Sequence, residues 1–344
     1  MKTPLTVTVI VPMRNEEDRI GRCLDSILAN DFPKDDLEVL VADGMSDDNS
    51  RSVVQSRAHS FNHLRILDNP AEIVSSGLNI GIQQSEGRVI IILGAHSEYP
   101  RHYISTCLRE LRTTGADAVG GVLNTQPGAD SLVARAIALM TQHPFGVGGS
   151  SFRTRSVGHE VDTLPYAAYL RTVFARVGLF NEQLTRNQDF EFNARVRAAG
   201  GRLFLSPDLE VVYYNVPTFK RLAVQAFNNG FWLAKMWTTS PVSFRMRHAV
   251  PLAFVICLLA SILLVPAKNI GAFVLPSILS VYFLAASIAA VQISFRIEKS
   301  AFFPLIGLLF THHFLYGLGT LVGLISLLRP KAVPSHIRAA AASH

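Results

Sequence analysis

The chain has 344 residues, 49% of them hydrophobic, and a formal net charge of +6 at pH 7, enough for one large domain plus an accessory part. Its Lys and Arg residues form no dense run interleaved with aromatics, which argues against nucleic acid as a partner. Its three cysteines, Cys23, Cys107 and Cys257, lie far apart without Cys-x-x-Cys spacing, which excludes a disulfide framework and a zinc pattern.

The apolar, β-branched run Leu5 to Val11 predicts a buried parallel strand. It is too short for a signal peptide and charges follow at once, so the N-terminal part is expected to stay in the cytoplasm. Glu16 to Asn30 places Ile20, Leu24, Ile27 and Leu28 at helical spacing. A second strand, Leu37 to Ala42, ends at Asp43-Gly44. A helix from about Asn49, a strand Leu64 to Leu67, a helix Ala71 to Gln84 and a strand Arg88 to Leu93 follow. Pro100 opens a helix at a favourable first-turn position, and Asp117 to Val122 reads as a strand. This alternation predicts an α/β fold with a mostly parallel sheet and helices on both faces.

From Gln126 to Asp162 the pattern weakens, and Gly146 to Ser151 reads as a flexible loop lining a site. Asn187 to Ala199 is helical and closed by Gly200-Gly201. Leu203 to Leu205 and Val211 to Tyr214 read as short strands. Thr218 to Trp237 carries an apolar stripe, Leu222, Ala226, Gly230 and Ala234 among its members, with Lys220, Arg221, Gln225 and Lys235 off it. That pattern suits a helix in a membrane interface, or one packed on a core.

Ala249 to Val265 and Ile270 to Ile293 are each long enough to cross a bilayer. Ala301 to Leu328 is a third candidate, interrupted by Pro304 and by His312-His313. Arg245, Arg247 and His248 precede the first span and Arg296 and Lys299 follow the second, while the loop between carries only Lys268. The positive-inside rule then puts the N-terminal domain in the cytoplasm. A third full crossing would place Arg329 and Lys331 outside, so that segment is expected to be re-entrant or interfacial. The expected division is 1–214 as the α/β domain, 215–247 as interfacial helix and linker, 248–330 as a multi-pass membrane region, and 331–344 as a tail.

In open parallel sheets ligands bind beyond the carboxyl ends of the strands. Val9-Ile10-Val11-Pro12-Met13-Arg14-Asn15-Glu16-Glu17 is a strand ending in a polar turn. Val41-Ala42-Asp43-Gly44-Met45-Ser46-Asp47-Asp48-Asn49-Ser50 is a second one. Asp43, fixed before Gly44, is a candidate acceptor for a base or ribose, whereas Asp47 and Asp48 read as helix caps. Asn187-Gln188-Asp189-Phe190-Glu191 puts two acids in a first helical turn, where the macrodipole favours them with or without a catalytic role.

The two strand-end motifs resemble the start of glycosyltransferase family 2 enzymes, which share the GT-A fold. Gly77-Leu78-Asn79-Ile80-Gly81 and Arg88 to Leu93 continue the resemblance in order and spacing. The similarity to the membrane-anchored exopolysaccharide glucosyltransferases of the succinoglycan type runs along nearly the whole chain, hydrophobic C-terminus included.

The resemblance implies that Pro12, Asn15 and Glu16 lie by the nucleotide of a UDP-sugar donor, that Asp43 contacts uracil or its ribose, and that Asn79 shapes the same pocket. It implies Asp189 as the base of an inverting hexose transfer. The acceptor would be a saccharide on a polyprenyl diphosphate, at the cytoplasmic face of the cell membrane. Arg186 is a candidate for steadying phosphates or acceptor, although a surface arginine needs no such role. Lys220 and Arg221 are candidates for an anionic diphosphate at the membrane face.

The sequence departs from the family at Leu93-Gly94-Ala95-His96, where the family carries Asp-x-Asp, or Asp-Ala-His in the subgroup resembled. That motif holds Mn²⁺ or Mg²⁺ against the leaving diphosphate. Gly94 has no ligand atom. His96 can bind metal through a ring nitrogen, with Mn²⁺ favoured over Mg²⁺, and Glu98 is close enough to substitute; His96 bound only to phosphate is the other reading. Two alternatives differ in kind. An inactive membrane-bound sugar-nucleotide binder fits Gly94. A processive synthase would carry Gln-x-x-Arg-Trp, but Ala226-Phe227-Asn228-Asn229 follows Gln225. His312 and His313 point in different directions and read as polar packing residues.

Overall fold

The computed structural model describes residues 6–154, 157–264 and 271–328. Lys268, Arg329, Lys331 and the tail 331–344 lie outside the described residues.

The first part alternates as the periodicity predicts. It runs β1 (Val7–Met13), α1 (Ile20–Leu28), β2 (Leu37–Asp43), α2 (Ser50–Ala58), β3 (Leu64–Asp68), α3 (Val74–Gln84) and β4 (Val89–Ile92). Strand side chains alternate between faces. Val7, Val9 and Val11 of β1 join α1 in one core, and Ile10 joins α3 and Ile90 in the other. Both faces are covered, which is why β1, β2 and β4 read as mostly apolar runs.

The next elements are β5 (Ser97–Glu98), α4 (Tyr103–Thr114), β6 (Ala118–Gln126), α5 (Leu132–Met140), α6 (Pro144–Val147), α7 (Ser151–Thr154), β7 (His159–Glu160), β8 (Ala168–Leu170), α8 (Arg171–Val177), α9 (Gln188–Ala198) and β9 (Leu203–Tyr214). The nine-stranded sheet has the order β3-β2-β1-β4-β8-β6-β9-β5, with β7 also on β9. β1, β2, β3 and β4 are mutually parallel, as are β6 and β9. β8 inserts antiparallel between β4 and β6, and β5 and β7 pair antiparallel with β9, so the sheet is mixed, with its longest ladders parallel.

Two local expectations change. The two short strands predicted around residues 203 and 211 are one strand, β9. Its register against β6 slips between Gly121 and Val122, because Pro207, Asp208 and Leu209 bulge out of the ladder. Gly121 permits the bulge, since a β-carbon there would lie 1.7 Å from the Leu209 carbonyl oxygen. The stretch from Gly146 to Ser151 is not a plain loop: α6 and α7 are single turns separated by Gly148 and Gly149, both at left-handed φ (62° and 70°).

The C-terminal part comprises α10 (Phe219–Thr239), α11 (Met246–Leu264), α12 (Gly271–Ser294) and α13 (Phe302–Leu327). Among the described residues, three helices are long and apolar enough to cross a membrane, over Met246–Leu263, Phe273–Ser294 and Lys299–Leu327. Pro304 does not interrupt α13, because it falls in the first turn where its missing N–H is not needed. The stripe of α10 is covered by α13: Leu222, Ala226, Gly230, Leu233 and Ala234 are buried. The backbones approach closely through glycine, since a β-carbon on Gly230 would meet the Tyr316 carbonyl oxygen at 1.9 Å and one on Gly319 the Phe227 carbonyl oxygen at 2.1 Å. Gly319 and Gly323 are spaced for such contact.

The two parts pack on one another. Ala136, Ile137 and Met140 of α5 share a core with α12 and α13. Leu184, just before α9, and Phe190 within it share another with Leu233 and Met236 of α10. Arg247 at the start of α11 pairs with Asp162 at 2.7 Å, and Arg245 with the same carboxylate at 3.7 Å.

Candidate active site

The loops after β1 and β2 are laced together. Ser46 Oγ accepts from the Asn15 N–H (2.9 Å), Ser50 Oγ from the Glu16 N–H (2.7 Å) and Asp48 from the Glu17 N–H (3.2 Å). In return Asn15 Oδ1 accepts from the Asp47 N–H and Glu17 from the Asn49 N–H. This lacing fixes the strand ends around a cleft of about 470 Å³. Its floor is Pro12, Ala42, Gly44 and Leu93 to His96; its far wall is Tyr166, Asp189 and Tyr213.

Of the sequence-predicted residues, the structure brings Pro12, Glu16, His96 and Asp189 to this one cleft. Others turn elsewhere, and the reasons are hydrogen bonds that motif position alone does not reveal. Asp43 is fully buried; its carboxylate accepts from Arg51 Nη1 (2.6 Å) and Ser46 Oγ (2.5 Å), so its backbone neighbours line the cleft instead. Asn79 donates to the Phe180 carbonyl and to Glu182 and accepts from the Phe180 N–H, pinning that loop from beneath. Asn15 spends its side chain on the lacing. Glu98 lies in β5 opposite Val212, outside the cleft lining. Arg186 is exposed and donates to Asn229 (3.2 Å). Lys220 and Arg221 are exposed in the first turn of α10, away from both large cavities.

Three tyrosines the sequence did not single out complete the site. Tyr166 lines the cleft, and a β-carbon on Gly94 would lie 2.7 Å from its ring. Tyr99 O–H accepts from the Gly94 N–H (2.7 Å) and also reaches the Gly94 carbonyl (3.2 Å), and Tyr103 O–H donates to the Tyr166 carbonyl. Burial holds the Tyr166 phenol well above its ordinary pKa, so it is a neutral hydrogen-bond donor at pH 7. Arg153 lies over the Tyr213 ring, 5.2 Å from its centroid. Among the described residues, five non-glycine positions take left-handed φ: Asn15, Met45, Glu72, Tyr166 and Asn187. All lie in the loops that form the cavities, where such backbone strain concentrates.

Asp189 opens α9 and accepts from the Phe190 N–H (2.8 Å). Its carboxylate faces open space in the cleft, but protein surrounds that space. Desolvation raises its pKa above the usual carboxylate range, against the opposing backbone hydrogen bonds. Glu191, two residues on, is buried and paired with Arg195 at 2.8 Å, which leaves it structural. Asp189, Phe152 and Arg153 also line a second cavity of about 580 Å³, which runs from the cleft in among α10 to α13.

The metal expectation can be tested on the donor atoms. His96 Nδ1 and Glu16 Oε1 lie 3.5 Å apart and face the cleft. Among the described residues no group of three or more His, Cys, Asp or Glu is placed to hold an ion. The residues therefore fit a divalent ion shared between His96, Glu16 and a substrate diphosphate, not one caged by protein alone.

The sequence profile of Glycosyl transferase family 2 matches residues 8–178, which include the laced loops, Gly94, His96 and Tyr166. Residues 8–178 are therefore a glycosyltransferase family 2 domain. Over 330 residues it is 27% identical to a Methanococcus voltae protein, the dolichyl N-acetyl-alpha-D-glucosaminyl phosphate 3-beta-D-2,3-diacetamido-2,3-dideoxy-beta-D-glucuronosyltransferase, covering 93% of this chain and 97% of that one. It is 28% identical to the succinoglycan biosynthesis protein ExoA of Rhizobium meliloti over 253 residues, 73% of this chain and 76% of that one. The structure of mannosyltransferase PcManGT from Pyrobaculum calidifontis, in complex with GDP-Man and Mn²⁺, matches with a TM-score of 0.59 at 19% identity, covering 95% of this chain and 90% of that one. This likeness establishes the GT-A fold that the family 2 motifs imply.

Proposed function

We propose that this family 2 glycosyltransferase moves a hexose, with inversion, from a UDP-sugar to a saccharide carried on a polyprenyl diphosphate, in exopolysaccharide or cell-surface glycan synthesis. The reaction takes place at the cytoplasmic face of the cell (inner) membrane. The observation that carries the reading is the position of Asp189, on the boundary between the strand-end cleft and the cavity that enters the apolar helices. A group there meets donor and acceptor from opposite sides, as a direct displacement requires. Its raised pKa makes it a stronger base than an ordinary carboxylate. The acceptor class is supported by the name of the Methanococcus voltae relative, and the polysaccharide setting by that of ExoA.

In this reading the nucleotide lies over Pro12, Glu16 and the laced loops. Asp189 takes the proton of the acceptor hydroxyl as its oxygen attacks the anomeric carbon and UDP leaves. Arg153 and the Tyr166 hydroxyl supply positive charge and a hydrogen bond where the diphosphate gains negative charge. A divalent ion, when bound, would be held by His96 and Glu16 and would offset the same charge.

The test uses the purified full-length protein, a panel of nucleotide-sugars and a membrane lipid extract, with and without Mn²⁺. A UDP-hexose should be consumed with a glycolipid formed. Asp189→Asn should abolish transfer and leave UDP binding intact; full activity in that variant would sink the assignment.

A further inference from the structure

The second cavity contains more than the transfer reaction has used. Its inner walls are apolar and aromatic: Phe145, Val250, Pro251 and Phe254, with Tyr282 stacked on Phe254 at 4.7 Å between ring centroids. Its outer end, toward Asp189, carries two guanidinium groups, Arg153 and Arg247. Asp162 holds Arg247 in place, and the Tyr213 ring holds Arg153. Between these ends stand His248 and His312. Tyr316 O–H fixes His248 through Nδ1 (3.1 Å), while His248 Nε2 and His312 Nδ1 are buried without a hydrogen-bond partner among the described residues. The adjacent His313 is engaged through Nδ1 with Tyr282 O–H (2.9 Å).

Buried polar atoms are nearly always paired, and leaving them unpaired among apolar helices is unfavourable. Two unpaired imidazole nitrogens beside two cations describe a site whose missing component is an anion rich in acceptor oxygens. The aromatic walls beyond describe a hydrocarbon chain. One molecule satisfies both only if its anion and its chain are covalently joined.

We infer that this cavity binds the phosphate head of a polyprenyl lipid through Arg153, Arg247, His248 and His312, with the first isoprene units against Phe254 and Tyr282. The head then lies next to Asp189, where the saccharide it carries presents its hydroxyl. The inference deepens the acceptor assignment proposed above and rests on it for the lipid class. It also replaces Lys220 and Arg221, the cations that the sequence suggested for the diphosphate, with two that reach the cavity.

The experiment measures binding of farnesyl phosphate to the detergent-solubilised full chain, with farnesol and phosphatidylglycerol as competitors. UDP binding and thermal melting serve as controls for each variant. Farnesyl phosphate should bind roughly tenfold or more tightly than farnesol, because charge-assisted bonds to the phosphate carry the difference. His312→Phe and Arg247→Gln should each weaken it several-fold with UDP binding unchanged. Should Arg247→Gln unfold through loss of the Asp162 pair, His312→Phe decides. Equal binding of farnesol and farnesyl phosphate overturns the inference, as does equal competition by phosphatidylglycerol, or unchanged affinity in His312→Phe. The acceptor reading fails separately, through absence of glycolipid product while farnesyl phosphate still binds.

Discussion

A β-carbon at position 94 would sit 2.7 Å from Cε1 and 3.1 Å from the hydroxyl of Tyr166, so Gly94 and Tyr166 form one packing unit. The glycine standing where the family resemblance implied a metal-binding aspartate is therefore more than a missing ligand. Its space is filled by a ring that itself faces the cleft, on a backbone clamped by Tyr99 and Tyr103. Gly94→Asp alone should overpack this unit and lower stability by about 1–3 kcal/mol, with reduced transfer. Gly94→Asp combined with Tyr166→Ala should fit, and should bind Mn²⁺ in the presence of UDP more tightly than the natural chain. Melting curves and Mn²⁺ titration read the two effects separately.

The carboxylate of Asp189 has a pKa raised by desolvation. Transfer needs it deprotonated, so activity should fall as pH drops through a value above the ordinary carboxylate range, and Asp189→Glu should shift that limb. The stability consequence has the opposite sense. A folded-state pKa above the unfolded one means the native state binds the proton more tightly, so stability falls as pH rises between the two values and stays lower above them. Asp189→Asn should consequently melt at a higher temperature than the natural chain at pH 7 while losing transfer by roughly 10²–10⁴-fold. Calorimetry and a radiolabelled transfer assay check the pair; a lower melting temperature would contradict the desolvation argument.

The legible parts of the sequence were those where burial is two-sided or a loop follows a strand. β1, β2 and β4 are apolar over most of their length because both faces are covered, and Pro12, Glu16 and His96 lie at or just beyond the carboxyl ends of β1 and β4. β8 escaped because three residues show no period, although it makes the sheet mixed. Asp43 and Asn79 illustrate a different limit. Position in a motif identified the right loop and helix, but Arg51 and Phe180 decide where those side chains point, and both partners are remote or unpatterned in sequence. Tyr166 gave no signal, since its role arises only when its loop folds over Gly94.

Arg153 borders both cavities and lies over Tyr213. A guanidinium stacks flat on a ring and presents two parallel N–H donors to two oxygens at once; a compact ammonium cannot reproduce that planar fork. Arg153→Lys should therefore rescue little of the loss in Arg153→Ala, with turnover down about tenfold or more in both. A kcat series at saturating donor tests this, and full rescue by lysine would reduce the role to net charge.

The seat of Asp189 depends on a helix contact far from the chemistry. Phe190 packs with Leu233 and Met236 of α10, and α10 is in turn set against α13 through Gly230, whose lack of a side chain lets the Tyr316 carbonyl approach. Gly230→Leu must push the two helices apart, at a cost of about 3 kcal/mol. The displacement passes through Leu233 to Phe190 and moves Asp189 relative to the cleft floor. That floor belongs to β1, β2 and β4 and does not touch α10, so UDP should bind with unchanged affinity while transfer collapses. A variant that lost both in parallel would mean that the sheet itself depends on the α10–α13 contact, and that the two parts of the chain fold as a single cooperative unit.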